Sequence, residues 1–460
     1  VIRVLLYLIA LGAVMVGVAW VAAQPGDVTI VWQDWRLDTS VGVLAAAVAI
    51  IAILAALLVR FWTALVTAPR RLRRWRRDRR QRAGYAALSA GLIAVAAGDP
   101  AGARREAKRA DRLLGAPPLT LLLTAQAAQL SGDDDTAYRH FTAMLEQPQT
   151  EFLGLRGLLA RALRDGESGR ALGLAKRARA LRPKTPWVLT TLLDLQSREG
   201  DWPGAAETLA QIGAAKALPA AELRRHAATV ELELSRAAAS TGQTSDALRH
   251  AKRAYRAEPD HPAVASWLAE RYASAGRRGR AAKLVEQAWT RRPHPDLLTV
   301  YRQAKAPATP LAWVGEVQRL AGLAPKHPDS HRALGEAALD AELWGEARKH
   351  FTAAIAASGD APPASFCRKL AAIEERDRGD AAAAQRWLTL AAEGHPDATW
   401  ICEACGAAHA AWRPVCGRCR SFDRLAWRIP DRAIPTLPPP RAPAPAAVLD
   451  GPMDRSSAPP

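Results

Sequence analysis

A spacing of 34 residues recurs along the chain and limits the fold more than any other feature. Short turn signals, GDPAGA, GDDDTA, GESGRA, GDWPGA, GQTSDA, GRRGRA and GDAAAA, begin at Gly98, Gly132, Gly166, Gly200, Gly242, Gly276 and Gly379. The first three intervals and that from Gly242 to Gly276 are each 34 residues. An eighth signal, ELWGEA, starts at Glu342 and lacks the glycine. An alanine stands five positions into every signal, at Ala103, Ala137, Ala171, Ala205, Ala247, Ala281, Ala347 and Ala384. Its small side chain lets two helices approach closely. A proline follows some units at Pro183, Pro259, Pro293 and Pro396, where it stops the second helix. Each unit therefore predicts one helix hairpin. A lone hairpin cannot bury its apolar face, so such units must stack. Apolar residues make up 49% of the chain but aromatic residues only 6%, which favours close-packed helices and an all-α class.

Period, glycine, alanine and proline together resemble the tetratricopeptide repeat, over residues 85–396. Two departures stand out. The 42-residue interval before Gly242 predicts a longer hairpin, and residues 306–328, interrupted by Pro307 and Pro310, predict a unit where the superhelix bends or pauses. Trp202 and Trp344 occupy equivalent turn positions and are expected to pack between hairpins, and Cys367 to be a small buried side chain. The resemblance implies a groove for peptides or protein partners.

Two apolar stretches precede the array. Residues 1–23 carry one charge, Arg3, and residues 41–59 none, so each is long enough as a helix for a hydrocarbon core of about 30 Å. Residues 1–68 are thus expected to form a two-helix transmembrane anchor, with residues 24–39, which contain Pro25-Gly26, as a short turn on the far side. Nine arginines between Arg70 and Arg82 follow the second stretch, and they account for much of the net charge of +18. Basic residues flanking a span stay on the cytoplasmic side, so both termini and the repeats are expected there, in a bacterial inner membrane. Leu72 and Trp75 interrupt the arginines, which suits an interfacial helix over residues 69–84 that binds anionic lipids rather than nucleic acid.

The segment WICEACGAAHAAWRPVCGRCRSFDRLAW, within residues 398–429, sets Cys402, Cys405, Cys416 and Cys419 as two C-x2-C pairs ten residues apart. Four thiolates at this spacing suit tetrahedral zinc in a structural role, with Gly406 and Gly417 permitting the sharp knuckle turns. Iron is the alternative, because the spacing also resembles rubredoxin. Arg413, Arg418, Arg420 and Arg424 can offset the negative charge of such a site. His409, inside the loop, is expected at the surface. Residues 430–460 hold ten of the chain's 32 prolines and are expected to be a disordered tail.

Two spans, the segment PGDVTIVWQDWRLDTS, the arginine block and the repeats together resemble the HemY N-terminal family of membrane proteins associated with haem biosynthesis. That resemblance implies work near haem or porphyrin metabolism. The terminal knuckles resemble the rubredoxin-type zinc module of LapB, a tetratricopeptide protein regulating lipopolysaccharide synthesis through a membrane protease. The shared module implies that the metal end docks on the repeats. It would then cap the array at the end opposite the membrane helices.

The leading expectation is a non-enzymatic scaffold for partner proteins at the membrane. The alternatives are a haem or porphyrin carrier, a redox protein with iron at the four cysteines, and a LapB-like regulator of envelope lipid synthesis. A flavin enzyme is disfavoured because no G-x-G-x-x-G follows a strand. His140, His226, His250, His261, His331 and His350 could ligate a haem, but histidines scattered on amphipathic helices are mostly solvated or structural, and none is assigned.

Overall fold

The Gly-Asp pair of the turn signals both ends one helix and starts the next. Gly98, Gly132, Gly200 and Gly379 adopt φ between 65° and 75°, the left-handed conformation that closes a helix. The aspartate after each then caps the following helix: Asp99, Asp133, Asp201 and Asp380 accept the amides of Gly102, Thr136, Gly204 and Ala383 at 2.9 to 3.1 Å. At the signal without glycine, Glu342 takes the same conformation, with φ 57°. All eight spacing alanines are at most 4% exposed. Each lies where its hairpin closes.

The computed structural model describes residues 26–32, 35–115, 118–358, 362–430 and 436–437, with 9, 12, 13, 15–17, 19, 20 and 23 nearer the N-terminus. The chain divides into two compact units, Val1–Thr150 and Glu151–Pro460.

In the first unit, β1 (Asp27–Trp32) pairs antiparallel with β2 (Trp35–Ser40), from Asp27 opposite Ser40 to Trp32 opposite Trp35. The link expected as a hairpin turn is a two-stranded β-hairpin, in keeping with its β-branched and aromatic residues. Helix α1 (Val41–Ala96) runs 56 residues without a break. Its Val41–Thr63 portion is long and apolar enough to cross a membrane and has none of its length buried. The arginines expected in a separate interfacial segment are instead a continuation of this helix, which runs on through Pro69. Most of the first expected span, residues 1–23, lies outside the described residues; those described between Ile9 and Trp20 are helical and exposed. The last turns of α1 pack on α2 (Pro100–Leu114), with Ala87 and Leu88 against Ala103, Ala107 and Ala110. A second pair follows, α3 (Pro118–Leu130) and α4 (Asp134–Ala143), closed by a 3-10 turn at Met144–Glu146.

The second unit repeats this motif. The first helices of successive pairs are α5 (Glu151–Arg164), α7 (Pro186–Glu199), α9 (Ala220–Ser240), α11 (Pro262–Ser274), α13 (Pro295–Lys305), α15 (Pro328–Asp340) and α17 (Ala364–Arg378). Their partners are α6 (Ser168–Leu181), α8 (Trp202–Ala215), α10 (Thr244–Ala257), α12 (Arg278–Arg291), α14 (Pro310–Ala321), α16 (Trp344–Ala356) and α18 (Ala381–Glu393). The 42-residue interval is absorbed by α9, which is 21 residues long.

No pause occurs at residues 306–328. Pro310 opens α14 in its first turn, where a missing N–H costs nothing, and Thr309 caps the helix by accepting the Ala312 amide at 3.1 Å. The small alanine is replaced by bulk: Tyr301 and Trp313 meet with centroids 6.1 Å apart inside a core that runs through Trp289, Val317 and Leu334. Trp344 packs beside Phe351 and Phe366, and Cys367 is fully buried.

After α18 the chain forms a small sheet in the order β5-β3-β4-β6, from β3 (Thr399–Cys402), β4 (Ala408–His409), β5 (Leu425–Arg428) and β6 (Thr436–Leu437). Of the tail, Thr436 and Leu437 pair parallel with Ala408 and His409, and residues 431–435 and 438–460 lie outside the described residues.

Candidate metal centre

The four cysteines sit on two knuckles built alike. In the first, the Cys402 amide donates to Ala407 O at 2.9 Å and the Gly406 amide to Cys402 O at 2.8 Å. In the second, Cys416 donates to Ser421 O at 2.9 Å and Arg420 to Cys416 O at 3.1 Å. The left-handed residue is Gly406, φ 71°, in one and Arg420, φ 62°, in the other. Gly417 is therefore not the turn residue of the second knuckle. A Cβ there would meet the Arg413 guanidinium, the far end of a flexible side chain that can move aside. Arg420 is held in its unfavourable conformation while its guanidinium donates to Arg198 O on α7 at 2.8 Å.

All four Sγ atoms lie within 4.8 Å of one another. Cys402 and Cys419 are 3.7 Å apart, as are Cys405 and Cys416. Four thiolates about 2.3 Å from one tetrahedral metal would be about 3.8 Å from each other, so the donor set is close to what one metal ion requires. Donors already point at the sulfurs. The Arg418 amide reaches Cys416 Sγ at 3.4 Å, and Ser421 Oγ lies 3.1 Å from Cys419 Sγ and 3.3 Å from Cys402 Sγ. Burial pushes the Cys405 thiol up to about 12; at Cys419 the same penalty is outweighed by the Ser421 hydroxyl and amide, and the thiol falls to about 6. His409 is not at the surface: it is fully buried, with Nε2 3.4 Å from Cys416 Sγ. It acts as a neighbour of the sulfur rather than a solvent-facing loop residue, because β4 turns it inward.

The module does not cap the last hairpin. It folds back onto the face made by the first helices α7, α9, α11 and α13, because its apolar and acidic residues find complements there rather than on α17. Asp423, 5% exposed, is the centre of this contact. One oxygen lies 2.7 Å from His226 Nδ1 and 3.2 Å from Arg225 Nε, and the other accepts from Thr229 Oγ1 at 2.9 Å, all three on α9. Phe422 packs into a cluster with Leu189, Leu193, Leu209 and Val230, and its ring is 6.4 Å from Trp202. Trp202 thus packs against the module as well as its own hairpin.

Trp400 and Trp412 pack with Leu232, Ala254 and Val264. His261, which immediately precedes α11 and makes no side-chain cap bond to it, stacks on Trp400 at 5.8 Å and meets Trp412 edge-on at 5.1 Å. His294, which caps α13, meets Trp427 edge-on at 4.3 Å. Burial, with nearby arginines, lowers His261 to about 4 and His294 to about 3, so both are neutral here.

Of the histidines weighed in the sequence, His226 and His261 belong to this contact. His250 pairs with Glu231 at 2.6 Å, and His331 lies 3.3 Å from His350. His294 and Asp423 were missed. The available signal was compositional: the 28-residue cysteine segment holds Trp400, Trp412, Phe422 and Trp427 in a chain poor in aromatics.

The helix pairs and the docked four-cysteine module define a tetratricopeptide-type repeat protein with a candidate metal centre. Residues 238–304 match the tetratricopeptide repeat family, and residues 26–132 match the family described as HemY protein N-terminus. Over nearly its whole length the chain is similar to the probable magnetosome protein Mms48 of Magnetospirillum gryphiswaldense, 28% identical across 95% of this chain and 96% of that protein. Among solved structures it is similar to MamA, at 16% identity over 36% of this chain and 91% of that one, with a TM-score of 0.24. It is also similar to a tetratricopeptide repeat protein from Parabacteroides merdae, at 14% identity over 68% and 99%, with a TM-score of 0.29. A third likeness is to the structure of Naa15/Naa10 bound to HypK-THB, at 17% identity over 74% and 55%, with a TM-score of 0.43.

Proposed function

We propose that the chain is a membrane-anchored scaffold that holds partner proteins on its helix pairs and performs no catalysis of its own. The observation that carries this reading is α1: its first part is an exposed apolar helix, and its last turns form half of the first repeat hairpin. A helix of this kind ties repeats to a bilayer without a linker. In this reading the bilayer is a bacterial inner membrane, the chain is multi-pass, and both termini and the repeats face the cytoplasm. The exposed arginines of α1, Arg73, Arg76, Arg77, Arg79, Arg80 and Arg82, meet anionic head groups rather than nucleic acid.

Zinc is the metal we assign to Cys402, Cys405, Cys416 and Cys419. Bound there it supplies four strong bonds and no open coordination position, so its contribution is to folding and not to chemistry. The protein's own residues do the rest: His409, Ser421 and the Arg418 amide stabilise thiolate charge, and Asp423 locks the module to α9. The match to the HemY N-terminus extends the reading to partners in haem or porphyrin metabolism.

Photo-crosslinking residues placed on exposed positions of the first helices, in membranes from expressing cells, test the reading. Discrete protein adducts that vanish when residues 41–63 are replaced by a soluble leader are expected. Adducts unchanged by that replacement, or none above background, contradict it.

A further inference from the structure

Beside the docked module a cleft of about 610 Å³ opens between β5 of the sheet and the starts of α9 and α11. Three consecutive residues of β5, Leu425, Ala426 and Trp427, line it. Successive side chains leave a strand on opposite faces, so three in a row, together with Trp400 opposite Trp427 on β3, place the cleft over one face of the sheet and around the edge of β5. That edge is the free one: β5 pairs with β3 on one side and ends the sheet on the other among the described residues. Unpaired edges present a row of amides and carbonyls ready to bond an added strand.

The charge of the cleft runs against that of the protein. Five carboxylates and three guanidinium groups line it, in a chain of net charge +18. Asp423 is already matched by Arg225, and Arg424 lies 3.8 Å from Glu222. What is left is Glu258, Asp260 and Glu403 against Arg292 and against Arg291, whose Nε lies 3.9 Å from Asp260 at the rim, a net charge of −1. Trp400 and Trp427 supply apolar wall between these acids.

We infer that this cleft accepts an extended, lysine- or arginine-bearing segment of a partner protein as a strand added to the free edge of β5. Backbone pairing along the four residues of β5 fixes the segment, and its basic side chains meet Glu258, Asp260 and Glu403. The inference deepens the scaffold reading and rests on it only in taking a protein as the occupant. The shape of the site depends on the module staying docked.

The test uses the full chain in detergent, metal-loaded, with a fluorescein-labelled alternating valine–lysine peptide and anisotropy as readout. Saturable binding is expected, with none for the valine–glutamate analogue. Methylating the amides on one edge of the peptide abolishes binding and methylating those on the other edge spares it. An Asp260→Lys/Glu403→Lys variant, altered at two exposed positions and checked for unchanged metal content, binds roughly tenfold more weakly. Equal binding of both methylated peptides, binding of the glutamate analogue, no saturation, or occupation of the cleft by a tetrapyrrole or a second copy overturns the inference. If the peptide fails while crosslinking still yields membrane-dependent partners, the site falls and the scaffold reading stands.

Discussion

Asp423 concentrates the energetics of docking in one side chain. It is nearly buried, serves three partners on α9, and sits at φ 52°, a conformation that aspartate and asparagine tolerate better than most residues. Asp423→Asn keeps that conformation and removes the charge, leaving Arg225 without its counter-ion and His226 Nδ1 without its carboxylate partner. We expect it to weaken docking by about 3 kcal/mol, read as a lower melting temperature and faster proteolysis between β3 and β5. His261 and His294 make the contact sensitive to pH. Released from the module they titrate near their ordinary 6.5, whereas burial holds them at about 4 and 3 when docked. The docked state therefore refuses protons that the free state takes. Docking is at full strength above about pH 6.5 and weakens as pH falls below it, by up to about 2 kcal/mol per histidine at pH 5. Tryptophan fluorescence against pH should show this release, and a His261→Phe/His294→Phe variant should flatten it; an identical profile in the variant would assign the transition to other groups.

At the scale of elements, Glu342 shows what the turn glycines contribute. It holds the left-handed conformation that glycine holds elsewhere in the series, at the cost of crowding its own Cβ. Glu342→Gly should stabilise the α15/α16 hairpin by about 0.5–1 kcal/mol in urea unfolding, and a loss of stability would mean that its side chain earns its place by contacts outweighing the strain. This is also where the sequence could be read best. Glycine at positive φ, aspartate caps and buried alanines are local demands, so they recur in phase and show themselves. The same logic misled at Pro307 and Pro310, since a proline in a first turn and a proline that breaks a helix look alike until the helix start is known. The second knuckle misled for the converse reason: Arg420 takes the position a glycine would mark, its conformation tolerated because its side chain bonds to α7. The four cysteines were plain from spacing. Their docking place was not, because it is fixed by single pairings such as Asp423 with His226, 197 residues apart in sequence.

For the molecule as a whole, part of the face that repeats of this kind leave open for partners is filled by the chain's own C-terminal module. That places the candidate metal site and the proposed partner cleft in one unit: the four cysteines lie within the module, the module covers α7 to α13, and its free edge frames the acidic cleft. The central claim is that metal at the four cysteines keeps this face covered. Amide hydrogen exchange of the full chain in lipid nanodiscs, before and after metal removal by a chelator, tests it most directly. The account predicts that exchange rises together in β3, β5, α9 around His226 and the start of α11 at His261, while α15 to α18 stay as protected as before. Metal loss that loosens the knuckles but leaves α9 and α11 unchanged would contradict it.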